Sequence, residues 1–186
     1  MAPTSVSKGI GILYRLRKLI SKKSLITLYN ALILPYISYC NLAWGNCGST
    51  KTNPLLLLQK RALRLITNSH YLAPTEPLFY QLKTLKVGDI NTLQTAIFMH
   101  KYTFNQLPSV FHDFFTPNSK IHSYPTRQSS NYHLENPRIL LAQKSLKHHG
   151  PDVWNSLPDN LKQCQNLSSF KKHFKEILLS QYSSGD

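Results

Sequence analysis

Lys60, Arg61 and Arg64, in the segment QKRALR, are cationic donors spaced within one helical turn, a pattern suited to phosphate oxygens. Arg15, Lys18, Lys22 and Lys23 make a second cationic run nearer the start of the chain. Over 186 residues, Lys and Arg number 22 against 8 Asp and Glu, a net charge of +14 before any histidine protonates. Such an excess favours a polyanionic partner, because each neutralised phosphate releases condensed counterions. Nucleic acid is the expected partner, with an anionic membrane surface second. A cationic run is also what an ordinary solvated helix face looks like; the charge of the whole chain tips the reading toward phosphate contact.

Catalytic chemistry finds little to work with. The acids Glu76, Asp89, Asp113, Glu135, Asp152, Asp159, Glu176 and Asp186 are scattered, and no two are adjacent. Two-metal phosphoryl transfer needs clustered carboxylates holding ions about 4 Å apart, so nucleotide transfer by these residues alone is not expected. Gly9 and Gly11 lack the rest of any phosphate-cradling loop. No His-x-Asp pair begins an iron-binding triad. His133-Leu134-Glu135 starts like a zinc deaminase signature, but no Pro-Cys-x-x-Cys follows. Cys40 and Cys47 are spaced too widely for a zinc finger and read as structural. No cofactor is expected, and His148-His149 reads as polar surface.

The elements that must position the cations are helical. Between Lys23 and Lys51 the chain is uncharged. Ser24 reads as an N-cap, Leu25, Leu28, Tyr29, Leu32 and Ile33 share one face, and Pro35 interrupts. Tyr36, Ile37, Cys40, Ala43 and Trp44 then resume a stripe that stops at Gly45. Asn53-Pro54 reads as the start of the basic helix. There Leu55, Leu58, Ala62, Leu65 and Ile66 face inward, opposite Lys60, Arg61 and Arg64, and the helix has no acid to neutralise them. Upstream, residues 5–20 form an amphipathic helix with Ile12, Leu16, Leu19 and Ile20 inward.

Downstream, residues 67–76 read as loop, and Thr75 caps a short helix with Leu78, Phe79, Leu82 and Leu85. Gly88 ends that helix, Asp89 caps the next, and fraying is expected near Asn105. Prolines punctuate 105–137, a loop-rich stretch with one short strand pair, 127–134 against 138–147. Ser168 caps a closing amphipathic helix with Phe170, Phe174, Ile177 and Leu178 inward and Lys171, Lys172 and Lys175 outward. The expected divisions are 1–104, 105–137 and 138–186. Tyr14, Tyr71, Tyr124 and Trp154 lie near basic clusters, as rings for bases beside cations for phosphates. Trp44 and Phe174 are expected in the core. Hydrophobic content of 41% supports such a core, and three sparse cysteines point to a reducing compartment, cytoplasm or nucleus. The sequon at Asn166 then reads as a helix cap.

LYNALILPYISYCNLAWGN at 28–46, followed by LQKRALRLITNS at 58–69, closely resembles the segment after the polymerase core in LINE-type (non-LTR) retrotransposon reverse transcriptases, the jockey-like group in particular. PLFYQLKTL at 77–85, AIFMHKY at 96–102, IHSYPTRQ at 121–128, GPDVWNSLP at 150–158 and FKKHFKEILLSQY at 170–182 resemble the same family's C-terminal region, in order and spacing. The resemblance implies a mainly α chain: a thumb-like helical bundle, a loop-rich segment and a C-terminal amphipathic helix. It implies no catalysis of its own, since the family's catalytic aspartates have no matching positions. It also implies contact between Lys60, Arg61 and Arg64 and a template–primer duplex, so RNA or an RNA–DNA duplex is the expected partner. Endonuclease and polymerase domains would stand upstream. Other readings stay open: an independent basic nucleic-acid-binding or scaffolding module, a membrane-associated protein using residues 25–44, and a truncated copy without function. Against the second, polar residues such as Asn30 and Asn41 are scattered through the run and lipid would leave them without partners.

Overall fold

The computed structural model describes residues 2–121 and 131–183. The chain is mainly helical. Its helices are α1 (Ala2–Leu16), α2 (Lys22–Leu32), α3 (Leu34–Ser38), α4 (Asn41–Trp44), α5 (Ser49–Thr67), α6 (Glu76–Gln81) and α7 (Val87–Thr103). Then follow α8 (Leu140–Gln143), α9 (Leu146–Asn155), α10 (Asp159–Lys162) and α11 (Leu167–Ser180). Two compact units result, Met1–Asn91 with Lys175–Asp186, and Thr92–Phe174. These cut across the divisions that composition suggests.

In the first unit α1 lies along α5 and touches α2 and α3. Its buried stripe is Val6, Ile10 and Leu13; Ile12 is exposed, Leu19 lies beyond the end of the helix at 77% exposure, and Leu16 and Ile20 are half-buried. The expected inward face is therefore rotated: the face packed on α5, α2 and α3 is that of Val6, Ile10 and Leu13, and the helix stops before it reaches Leu19 or Ile20. Gly9 sits where a Cβ would come within 2.9 Å of Ile33 and 3.2 Å of the Leu32 carbonyl, so this glycine permits the close approach of α1 to the end of α2.

The cap of α2 is Ser21 rather than Ser24: the Ser21 hydroxyl accepts from the Ser24 amide at 3.2 Å. Pro35 restarts the chain as α3, where its missing N–H costs nothing. The stripe expected after it does not form. Cys40 takes the left-handed conformation, φ 49°, which splits α3 from α4, and Tyr36, Cys40 and Ala43 are exposed. Trp44 is half-buried rather than core, its indole N–H donating to the Tyr39 carbonyl at 2.7 Å. The helix α5 begins at Ser49, not at Asn53-Pro54, so Pro54 lies inside it. Its buried face is Leu55, Gln59, Ala62, Leu63 and Ile66, with Leu58 and Leu65 at the flanks.

Among the described residues three helices close with a left-handed residue that is not glycine. Asn68 after α5, Lys83 after α6 and Asn105 after α7 have φ of 53°, 49° and 53°. After each, the next amide bonds back across the last turn, as Thr84 does to Phe79. Lys83, not Gly88, thus ends α6; Gly88 and Asp89 lie inside α7, and Leu85 lies outside α6. Thr75 precedes α6 as expected but gives no side-chain cap bond. Tyr182, beyond α11, belongs to this unit: its ring meets Phe79 at 5.9 Å, its hydroxyl donates to the Asp89 carboxylate, and it accepts from the Lys86 amide at 3.1 Å.

In the second unit Trp154, Phe170 and His100 share an aromatic core, with the His100 and Phe170 centroids 4.6 Å apart. Trp154, a candidate base platform by sequence, is buried here; Tyr124 lies outside the described residues. The expected strand pair is absent among the described residues. Residues 140–143 and 146–155 are helical instead, residues 127–130 lie outside the description, and Tyr132 bridges to Pro117. The Asn155 amide accepts from the Tyr132 N–H at 3.0 Å and donates to its carbonyl at 2.8 Å. Capping of α11 falls to Asn166, whose side chain accepts from Ser168 and Ser169. Phe170 and Phe174 are buried as expected; in the part of α11 that belongs to the first unit Leu178 is buried too, but Leu179 replaces Ile177, which is 38% exposed.

Candidate nucleic-acid interface

The cationic side of α5 does stand opposite its buried face, but its members differ. Arg61 is exposed, while Lys60 and Arg64 are half-buried. The absence of an acid on α5 does not leave the stripe unopposed. Glu76 on α6 lies close enough that Lys60 helps hold its carboxyl below the usual range, after the larger effect of the Lys86 hydrogen bond. That Lys86–Glu76 pair is 3.0 Å long.

Arg64 has a structural task. Its Nε and Nη2 donate to the Ala73 carbonyl at 3.0 and 2.8 Å. That carbonyl ends a tight turn closed by the Ala73 amide on the His70 carbonyl at 3.0 Å. Tyr71 and Leu72 occupy the corners of the turn, and the His70 Nδ1 accepts from the Leu72 amide at 3.3 Å. The guanidinium thus fixes the turn that presents Tyr71, a residue 72% exposed.

Between this turn and the end of α1 opens a cleft of about 450 Å³ lined by Arg17, Arg61, Arg64, Leu65, Ser69 and Tyr71. Arg17 follows the last turn of α1, its guanidinium 4.4 Å over the Tyr14 ring. Arg61 also lines a smaller hollow of about 190 Å³ beside Ile10, Tyr14 and Leu58. No carboxylate lines either concavity. Among the described residues Arg17, Arg61 and Arg64 form no ion pair.

The structure therefore brings Arg61 and Arg64 together and adds Arg17 and Tyr71. Arg15, Lys18, Lys22 and Lys23 are exposed and line neither hollow. No protein family, no curated protein and no solved structure matches the chain. Among the described residues no group of three or more His, Cys, Asp or Glu is placed to hold a metal ion. The cleft offers guanidinium donors for anionic oxygens and an aromatic face for a flat ring. Arg17 lies within the basic run from Arg15 to Lys23; what singles it out is its stacking on Tyr14, three residues before it.

Proposed function

We propose that this chain is the thumb and post-thumb part of a LINE-type RNA-directed DNA polymerase, without catalysis of its own, and that it binds RNA or an RNA–DNA duplex through the α1–α5 surface. Support for the family comes from the ordered motifs between residues 28 and 182 and agrees with a mainly helical chain. Support for the binding comes from one observation: three guanidiniums border a single cleft free of carboxylates, on a chain of net charge +14. The upstream polymerase and endonuclease domains would then be partners in the same polypeptide. Residues 25–44 are divided among α2, α3 and α4, and among the described residues no helix is long and apolar enough to cross a membrane.

The test is the salt dependence of binding to an RNA–DNA duplex, for the wild type and for Arg17→Ala with Arg61→Ala. Each phosphate contact contributes about 0.7–0.9 to the log–log slope, so losing two should flatten it by roughly 1.4–1.8. An unchanged slope refutes the assignment. Arg64 is left in place because its removal would also free the 70–73 turn.

A further inference from the structure

We infer that the cleft between Arg17, Arg61 and Tyr71 seats a single unpaired nucleotide, its base stacked on Tyr71 and its flanking phosphates taken by Arg17 and Arg61. This inference rests on the nucleic-acid reading above and specifies the part of the ligand that this site takes.

The shape of the site carries the first step. A volume of about 450 Å³ lies in the range of clefts that enclose a small molecule, roughly 300–1,000 Å³. The backbone of a duplex spreads its charge along a convex surface, about one charge per 1.7 Å of axis. It would lie across the mouth of such a cleft without filling it. The second step is the ring. Tyr71 is 72% exposed, held at a turn corner by the Arg64 bond to Ala73, with the His70 ring 4.6 Å away. A paired base already has both faces stacked on its neighbours and cannot use such a ring. An unpaired base has a free face, and stacking there is tolerant of sequence. The third step is charge. Arg17 and Arg61 keep their guanidiniums free of carboxylates, whereas Arg64 uses two donors internally and acts as a positioning residue for the turn.

The experiment measures binding of fluorescently labelled oligouridine, a strand of the same length abasic throughout, and an RNA–DNA duplex. The proteins are the wild type, Tyr71→Ala and Tyr71→Phe. Tyr71→Ala should weaken oligouridine by ~5- to 150-fold. The duplex should change by less than about twofold, the effect of an ordinary surface substitution. Tyr71→Phe should bind both like the wild type, and the abasic strand should be insensitive to Tyr71. If Tyr71→Ala does not fold, the wild type alone still decides, since it must bind the intact strand more tightly than a strand abasic along its whole length. Equal weakening of strand and duplex, or no effect of Tyr71 on either, overturns the inference. If the duplex still shows its dependence on Arg17 and Arg61, the broader reading survives that failure. Binding of no nucleic acid overturns both. Displacement of oligouridine by polyglutamate in a Tyr71-dependent way would make the cleft a seat for acidic peptide and also overturn the inference.

Discussion

Gln59→Leu should destabilise the first unit by about 1–3 kcal/mol. The Gln59 amide is fully buried on α5, and its Nε2 donates to the Tyr29 hydroxyl and to the Leu85 carbonyl, each at 2.8 Å. One side chain thus ties α5 to α2 and to the link after α6. Leucine has nearly the same volume and no donor, so two buried acceptors lose their partner at roughly 1–3 kcal/mol each. The substitution also removes Gln59 Oε1, buried with no partner among the described residues, which returns roughly one such penalty. Urea unfolding followed by circular dichroism would give the difference from the midpoints at constant m. Tyr29→Phe should recover part of the loss in the double variant, with a coupling of about 0.5–3 kcal/mol. A pH arm uses the same pair. Burial pushes Tyr29 up to about 12, so the folded state holds a proton that the unfolded state releases near pH 10. Its contribution to stability is complete below about pH 10 and is lost as pH rises toward 12. Tyr132 and Tyr182 are raised by burial too and act in the same direction, so Tyr29→Phe should reduce the alkaline loss without abolishing it. A neutral Gln59→Leu, or strictly additive variants, would refute the reasoning.

The second unit should weaken in acid. Burial lowers His100 below its ordinary value, so its neutral form is favoured in the fold, and stability should fall as pH drops below about 6.5, where the unfolded ring takes up a proton. His149 is lowered for the same reason and adds to the slope; His100→Phe should flatten it in urea titrations at a series of pH values. Asn166→Ala should cost about 1 kcal/mol in thermal unfolding and Ser168→Ala close to nothing, because only Asn166 accepts the amides of the first turn of α11. Lys83→Gly should stabilise by about 0.5–1 kcal/mol in the same assay, since it relieves a left-handed lysine. It also removes the like charge that, after burial, lowers Lys175.

The helical class, the break at Pro35, the opposed faces of α5 and the fraying point at Asn105 were legible in the sequence because apolar periodicity and proline chemistry act locally. The buried faces were read less well. Ile12 and Leu19 are as apolar as Val6 and Leu13; the packing of α1 on α5 and α2 selects the Val6–Leu13 face, and Leu19 falls beyond the end of the helix. Gln59 was invisible as a core residue because its burial depends on partners far along the chain, Tyr29 and Leu85. Helix ends were misread where the left-handed position is held by Lys83 or Cys40, residues carrying no signal for it, while Gly88 supplied a false one. At the site, Arg61 and Arg64 were legible from charge and spacing. That Arg64 serves the turn, and that Arg17 and Tyr71 join the cleft, follows from packing between segments distant in sequence.

Tyr182 has a consequence for synthesis. The ring of Phe79 and the amide of Lys86 wait for it from the moment their own segment leaves the ribosome. At ordinary elongation rates of about 5–20 residues per second, the wait is on the order of 5–20 s. During that interval the Phe79 ring lacks the Tyr182 ring that packs on it, an apolar surface that only the chain's later residues can cover. Until Tyr182 emerges, the earlier-made part of the first unit is the one in need of a chaperone.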